Sequence, residues 1–282
     1  MNIRHPAVAG RFYQKSPAQL KTQLEAWLSP VQPIETTPLA AIPSDHAVDP
    51  HLPTANAIRA LIVPHAGYIF SGRVAAKAYQ ALLDVADTIK HVILIGPSHR
   101  YFFQGCALPT AEQFSTPLGN VTLNTQTIAT LSEIEDFELS EQAHALEHSL
   151  EVQLPFLQTV LSNFSLLPIL TSNVSPAKLA KLIDPLWQSN DTLLVVSSDL
   201  SHFHPYHKAQ RIDRNTCHLI EHFEPTLTPE QACGSTGINT LLLLAKQRGY
   251  QLTRLALNNS GDTAGDKEKV VGYVSYLISN TE

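Results

Sequence analysis

Three short apolar runs along the chain end in polar residues whose side chains are common ligands. Each run is rich in β-branched residues and is short enough to form one buried strand. The runs cover residues 61–63, 92–95 and 192–196. The first is followed by His65, the second by His99, and the third by Asp199 and His202. Because ligands of open α/β sheets bind at the carboxyl ends of the strands, we expect these four side chains at one edge of a sheet.

Apolar residues at helical spacing separate these runs. A first amphipathic helix opens at Ser16-Pro17 and places Leu20, Leu24, Trp27 and Leu28 on one face. A leucine stripe predicts another packed helix over residues 146–157. Further helices are predicted over residues 73–79 with Ser71 as the cap, and over 125–134, 176–187, 208–223 and 238–247.

The remaining segments complete a fold prediction. Residues 105–124 read as a β-excursion with short strands at 106–108 and 121–123, and two strands at 252–257 and 270–278 close the chain. Pro168 in the strand candidate 164–170 predicts an edge position or a bulge. The proline-rich segment 30–57 predicts a long surface loop, and residues 1–14 an irregular arm. Alternating strands and helices favour an α/β fold in one domain, residues 1–282. It has a mostly parallel central sheet, helices on both faces and a small antiparallel excursion.

Composition narrows the functional classes. The chain has 282 residues, 44% of them hydrophobic and 16% charged, with a formal net charge of −6. No basic block is present, which argues against nucleic acid as a partner. The apolar runs are too short for a membrane helix, and the N-terminal residues lack the apolar core of a signal peptide. Three cysteines without paired spacing favour a reducing compartment, so we expect a cytoplasmic protein.

Several residues with useful chemistry lie at predicted element ends. Cys233 precedes a predicted helix, which should lower its thiol pKa, and a soft thiolate beside imidazoles suits iron, copper or zinc. Glu147 and His148 lie near a predicted helix start. His148 and His202 are candidate proton-transfer groups, whereas Glu147 and Asp199 are candidates for orienting the histidines.

Simpler interpretations compete with these. A single histidine after a strand is usually a turn residue, and a free cysteine such as Cys233 usually fills a core position. Cys106 and Cys217 are expected to be core residues. Ser98, His202 and Asp199 together would suit a serine hydrolase, but the chain has no G-x-S-x-G elbow. It also has no dinucleotide fingerprint, no P-loop and no H-E-x-x-H motif.

Five motifs follow one another along almost the whole chain, after an opening segment at residues 7–13. The motifs are Pro64-His65-Ala66-Gly67-Tyr68, Gly96-Pro97-Ser98-His99, Glu147-His148-Ser149-Leu150-Glu151, Ser197-Ser198-Asp199-Leu200-Ser201-His202 and Ala232-Cys233-Gly234. In their order and spacing, these motifs and the opening segment resemble those of the Memo family.

This resemblance implies a fold similar to that of the class III extradiol dioxygenases, which are non-haem iron enzymes. It implies metal ligands at His65, His99 and Cys233, and pocket residues at His148, Asp199 and His202. The extradiol enzymes use two histidines and a glutamate, so cysteine changes the softness of the ligand set. Eukaryotic members of the family are iron- or copper-binding redox proteins and bind phosphotyrosine peptides. Microbial members are often encoded beside radical-SAM and AMMECR-type proteins, which are therefore candidate partners.

The leading prediction is a mononuclear metal protein, with iron first and copper or zinc as alternatives, that binds oxygen or a small-molecule substrate and carries out redox chemistry. One rival is a non-catalytic module that binds a peptide or phosphopeptide. Another is a zinc-dependent hydrolase in which Glu147 or His202 activates a metal-bound water.

Overall fold

The computed structural model describes residues 2–29 and 58–280, so the loop predicted over 30–57 lies outside the described residues. The strands are β1 Ile3–Arg4, β2 Ile58–Val63, β3 His91–Pro97, β4 Cys106–Leu108, β5 Gln113–Thr116, β6 Gly119–Thr122, β7 Phe137–Leu139, β8 Ser165–Thr171, β9 Thr192–Ser197, β10 His202–His204, β11 Gln251–Asn259 and β12 Val270–Ser279. The helices are α1 Pro17–Leu28, α2 Tyr68–Gln80, α3 Thr125–Ser132, α4 Glu141–Ala145, α5 Leu154–Val160, α6 Pro176–Ile183, α7 Tyr206–Glu221 and α8 Ser235–Arg248. Short 3-10 helices cover Leu83–Thr88, Glu151–Gln153, Asp184–Trp187 and Ser260–Asp262.

Four parallel strands form the centre of the large sheet, in the order β2-β9-β3-β8. Antiparallel strands flank them, with β12 beside β2 and β4 beside β8. β12 also pairs with β10 and β11. The predicted α/β architecture with a mostly parallel centre is therefore confirmed.

Helices pack on both faces of this sheet. Successive side chains of a strand point to opposite faces, so Val196 and Ser197 at the end of β9 mark the two sides. A methyl group added at Gly237 of α8 would lie 3.0 Å from Val196, which shows how closely this helix approaches the sheet. On the other face, Gln153 at the start of α5 donates a hydrogen bond to Ser197. None of the helices in residues 2–29 and 58–280 is long and apolar enough to cross a membrane.

The antiparallel excursion is present but smaller than predicted. β5 and β6 form the hairpin, with Phe114 opposite Val121, and β1 from the N-terminal arm adds to it in parallel. Residues 106–108, which we assigned to the excursion, instead form β4 of the large sheet, because they pair with both β7 and β8.

The helix predicted over residues 146–157 is wrong in its first half. Regular helix begins only at Leu154, and Leu146 is 67% exposed. The carboxylate of Glu147 accepts hydrogen bonds from the main-chain N–H groups of His148 and Ser149, at 2.8 and 2.9 Å. A side chain that captures neighbouring N–H groups in this way favours a turn over a helix.

The start of α2 also differs from the prediction. The helix begins at Tyr68 with Gly67 as its N-cap residue, three residues before the serine that we expected to cap it. Ser71 lies inside the helix, and its hydroxyl donates to the main-chain oxygen of Ala66. The helix therefore begins three residues after His65.

Pro168 lies inside β8, which has β3 on one side and β4 on the other, so the predicted edge position is wrong. β4 reaches only Leu170 and Thr171. The main-chain oxygen of Leu166 accepts from Asn124 on the side away from β3. Alternate residues of a strand direct their main-chain groups to the same side. The nitrogen of Pro168, which has no hydrogen to donate, therefore faces away from β3, at a position that β4 does not reach. The proline consequently removes no hydrogen bond between β8 and β3.

Candidate metal centre

Three histidines converge beyond the carboxyl ends of the central strands. His65 follows β2, His99 follows β3, and His148 lies in the turn before α5. One ring nitrogen from each lies within 4.8 Å of the other two. The ring centroids of His99 and His148 are 4.9 Å apart and nearly stacked, and that of His65 lies 5.2 and 5.5 Å from them. This group of three imidazoles could hold a metal ion.

His65 is buried and held from three directions. Its main-chain N–H donates to Asp199 at 2.7 Å, its Nδ1 lies 2.9 Å from the hydroxyl of Ser197, and its Nε2 lies 3.3 Å from Sγ of Cys233. Burial lowers the pKa of His65 to about 4, even though the charge of Asp199 acts in the opposite direction. The imidazole is therefore neutral at pH 7, which is the form that binds metals.

Glu147 organises the other two histidines. Its Oε2 accepts from the main-chain N–H of His99 at 2.5 Å, and its Oε1 lies 3.0 Å from Nδ1 of the same residue. Burial alone would raise the pKa of Glu147, but contacts with the imidazoles of His148 and His99 outweigh it and hold the pKa well below its usual range. Because the carboxylate only accepts, Nδ1 of His99 carries a hydrogen, and in the neutral ring Nε2 has the lone pair.

His148 is held less tightly than His99. Its Nδ1 lies 3.1 Å from Oε1 of Glu147, but the direction of approach does not make a hydrogen bond. Its ring also packs edge-on against Phe12 of the N-terminal arm, with centroids 4.8 Å apart. This imidazole is therefore positioned mainly by packing, and its nitrogens are less committed than those of the other two.

Cys233 lies beside His65, but the predicted lowering of its thiol pKa is wrong. Burial raises the pKa of Cys233 to about 12, and the charge of Asp199 adds to the effect. α8 begins only at Ser235, with Gly234 as its N-cap residue, so the thiol lies before the helix. Without a cation nearby, the thiol therefore keeps its proton at neutral pH.

Asp199 and His202 have different positions relative to this cluster. Oδ1 of Asp199 accepts from the main-chain N–H groups of His65 and Ala66, so it ties the end of β2 to the end of β9 through the main chain. His202 begins β10, opposite Val271 of β12, and its ring contacts that of Phe203. It does not belong to the group of three imidazoles. Its proton-transfer role stays a prediction.

The N-terminal arm braces the turn that carries Glu147 and His148, which sequence patterns did not indicate. The guanidinium of Arg4 donates to the main-chain oxygens of His144 and Glu147 and forms an ion pair with the fully buried Glu151 at 2.9 Å. Glu151 also accepts from the N–H groups of the arm at residues 7 and 8 and from the hydroxyl of Tyr13. The arm and the turn lie more than 130 residues apart, so no local periodicity could have predicted the contact.

Serine and glutamine residues behind His65 were also missed as site residues. Ser197, Ser149 and Gln153 are fully buried and connected by hydrogen bonds. Ser197 ends β9 between the two strands that precede His65 and His99. Its place at a polar strand end was visible in the sequence, but its partner Gln153 was read only as part of a leucine stripe.

A family model and several relatives match this chain along nearly its full length. The family model described as Memo-like protein matches residues 4–277. A MEMO1 family protein of Sulfolobus acidocaldarius is 34% identical, with 97% of this chain and 98% of that one covered. One from Sulfurisphaera tokodaii is 35% identical over 97% and 98% of the two chains. The crystal structure of the uncharacterized protein JW3007 from Escherichia coli has a TM-score of 0.49 at 15% identity. It covers 77% of this chain and 99% of that one.

Proposed function

The chain belongs to the Memo-like protein family, and on that premise we propose that it binds one metal ion and carries out redox chemistry with it. We assign His65, His99 and Cys233 as the ligands, and iron as the first candidate metal, with copper or zinc as alternatives. One observation supports this proposal most directly. Ring nitrogens of three imidazoles lie within 4.8 Å of one another, and two of these rings are anchored through Nδ1.

The state of the two histidines and the position of Cys233 support this ligand set. His65 and His99 each have Nδ1 engaged by a partner, so Nε2 is the atom left to bind. Sγ of Cys233 lies 3.3 Å from Nε2 of His65, close enough for both atoms to share one ion after a small adjustment. The thiol would lose its proton on binding, as cysteine ligands do. A set of three protein ligands leaves coordination positions open for a substrate.

The surrounding residues have separable roles in this proposal. A bound ion of this kind supplies Lewis acidity and, for iron or copper, one-electron chemistry. Glu147 keeps His99 oriented, and its low pKa and occupied oxygens make it a poor proton acceptor. Nδ1 of His148 makes no hydrogen bond, so this imidazole is the better candidate to hold or move a proton beside the ligands. We keep His202 as a candidate for contact with the substrate.

The test is metal content after purification without oxygen. We expect close to one ion per chain in the native protein and a loss of most of it in His65→Ala. Cys233→Ala should also lose the ion, whereas Cys217→Ala serves as the control because that cysteine is free and buried away from the three imidazoles. If His148→Ala loses the ion and Cys233→Ala keeps it, the three imidazoles are the ligands instead. Unchanged metal content in His65→Ala would refute the site.

A non-catalytic binding module is the second candidate, and exposed apolar side chains favour it. Ile69, Phe102 and Phe203 are 67%, 73% and 68% exposed, and each lies within four residues of His65, His99 or His202 in the chain. Such side chains suit contact with a peptide or an organic molecule. This function predicts ligand affinity that survives complete removal of metal. The hydrolytic alternative gains no support from Glu147, whose oxygens are already occupied by N–H groups.

We also propose a reducing compartment, the cytoplasm, as the location. All three cysteines are free, and Cys106 and Cys217 are buried in the core as predicted. Interaction with radical-SAM and AMMECR-type proteins stays a prediction from the resemblance, as does the absence of nucleic-acid and membrane partners. A pull-down with each purified partner type would test it.

A further inference from the structure

The hydroxyl of Ser197 has three polar partners and is fully buried. Its Oγ lies 2.6 Å from the main-chain oxygen of Ser149, 2.9 Å from Nε2 of Gln153 and 2.9 Å from Nδ1 of His65. A serine hydroxyl can donate one hydrogen bond and accept two. These three partners therefore use its full capacity.

For two of these three hydrogen bonds, the chemistry of the partner decides which group donates. The oxygen of Ser149 can only accept, so the hydroxyl hydrogen points to it. The amide of Gln153 has a defined orientation, because its Nε2 also donates to the oxygen of Pro64 and its Oε1 accepts from the hydroxyl of Tyr79. Gln153 therefore donates to Ser197, which leaves one lone pair for His65.

Nδ1 of His65 must then carry a hydrogen, because Ser197 has none left to give. A neutral imidazole has one ring hydrogen, so the lone pair lies on Nε2, the atom 3.3 Å from Sγ of Cys233. We propose that Ser197 is a positioning residue that holds His65 in the tautomer whose Nε2 can bind a metal ion. The metal part of this inference rests on the proposed function.

The opposite tautomer is disfavoured by the same contacts. It would place an acceptor at Nδ1, and Ser197 could serve it only by turning its hydrogen away from Ser149. That main-chain oxygen would then lose a buried donor. The hydrogen bonds that connect Tyr79, Gln153 and Ser197 therefore determine the tautomer of His65. They act at Nδ1, on the side of the ring away from Cys233.

The first test reads the tautomer directly in metal-free protein. Nitrogen NMR of ¹⁵N-histidine-labelled protein distinguishes a protonated Nδ1 from a protonated Nε2. We expect His65 to be protonated at Nδ1 in the native chain and in Ser197→Thr, which keeps the hydroxyl. Ser197→Ala should show a mixture of tautomers. If Ser197→Ala keeps the native signal, the proposal is wrong.

The second test is affinity for Zn²⁺, measured by competition with a chromophoric chelator under reducing conditions. Loss of a group that orients a metal-binding histidine typically weakens binding by about 10- to 100-fold, and we expect this for Ser197→Ala. Ser275→Ala is the matched control, because Ser275 is a fully buried strand residue whose hydroxyl has no hydrogen-bond partner. Its affinity should equal that of the native chain. Equal affinity in Ser197→Ala would overturn the proposal.

The two measurements separate this inference from the proposed function. If the native chain binds no Zn²⁺, iron or copper, the proposed function fails, and the NMR measurement still decides whether Ser197 sets the tautomer. If Ser197→Ala does not fold, Ser197→Cys replaces it. The larger sulfur fills the space, but it is a weak acceptor. We expect the same mixture of tautomers and a loss of Zn²⁺ affinity in that variant, and native values for both would refute the proposal.

Discussion

At the candidate metal centre, the rings of His65 and His99 are oriented in the same way by different partners. Each has Nδ1 turned to an oxygen, a hydroxyl for His65 and a carboxylate for His99. In both neutral rings Nε2 is consequently the nitrogen that has the lone pair. In the proposed site, a neutral partner behind one ligand and an anionic partner behind the other should make His99 the stronger electron donor to the ion.

A second buried carboxylate, Asp213 of α7, gives a pH-dependent prediction at the residue scale. Its Oδ1 accepts from the N–H of Ser201, and it packs so closely on β12 that a methyl group added at Gly272 would lie 2.1 Å from Oδ2. Burial raises the pKa of Asp213 to about 6, and the hydrogen bond from Ser201 only partly offsets this.

The folded state therefore binds this proton more tightly than the unfolded state, whose aspartate pKa is about 3.9. The contribution of Asp213 to stability is full below that value and is lost as pH rises to about 6. Relative to the native chain, Asp213→Asn should gain about 2 kcal/mol between pH 4 and pH 7. Urea unfolding of both proteins across this range measures it, and a difference that does not change with pH would contradict it.

Among the elements, the N-terminal arm and the turn at residues 147–150 act as one unit. Arg4 and Glu151 form a buried ion pair, and each also holds main-chain groups of the other segment. Removing one partner of a buried pair is costly because the other charge is left uncompensated.

We therefore predict that Arg4→Met destabilises the protein by about 3 kcal/mol. Glu151→Gln should have a similar cost, because it leaves the guanidinium without its carboxylate. The double variant should cost clearly less than the sum, since neither charge then remains buried alone. Denaturant unfolding of the four proteins completes the cycle. Additive costs would show that the two residues act independently.

In this region, features set by local sequence patterns were predicted correctly, whereas features set by side-chain capture or by distant contacts were not. His65 and His99 were predicted from strand ends, because a short apolar run followed by a polar residue is a local pattern. The turn at Glu147 was predicted as helix, because leucine spacing cannot reveal a carboxylate that captures its own neighbours' N–H groups. The pKa of Cys233 was predicted in the wrong direction, because burial depends on contacts that are distant in the chain.

At the scale of the whole molecule, the order of the strands determines where the candidate metal centre lies. β9 lies between β2 and β3, so the segments carrying His65 and His99 stand two strand spacings apart, about 10 Å. Ser197 at the end of β9 and Asp199 just beyond it lie between these two segments. His148 reaches the same place from the turn before α5. The site therefore depends on the assembled sheet rather than on any single segment.

Metal binding should accordingly stabilise the whole fold. An ion at a free concentration 100 times its Kd adds about 2.7 kcal/mol to the free energy of unfolding. For a chain of this size, that corresponds to a rise in Tm of about 5 °C. Thermal unfolding with and without Zn²⁺ measures the shift, and His65→Ala should abolish it. An equal shift in that variant would mean that the ion binds elsewhere.

The position of β9 between β2 and β3 also has a consequence for folding kinetics. β9 comes more than 90 residues after β3 in the chain, so it is synthesised last of these three strands. Parallel pairings across such separations close slowly. The nascent chain therefore exposes His65, His99 and His148 before the framework that orders them exists. The proposed set of donors is complete only later still, because Cys233 is synthesised after β9.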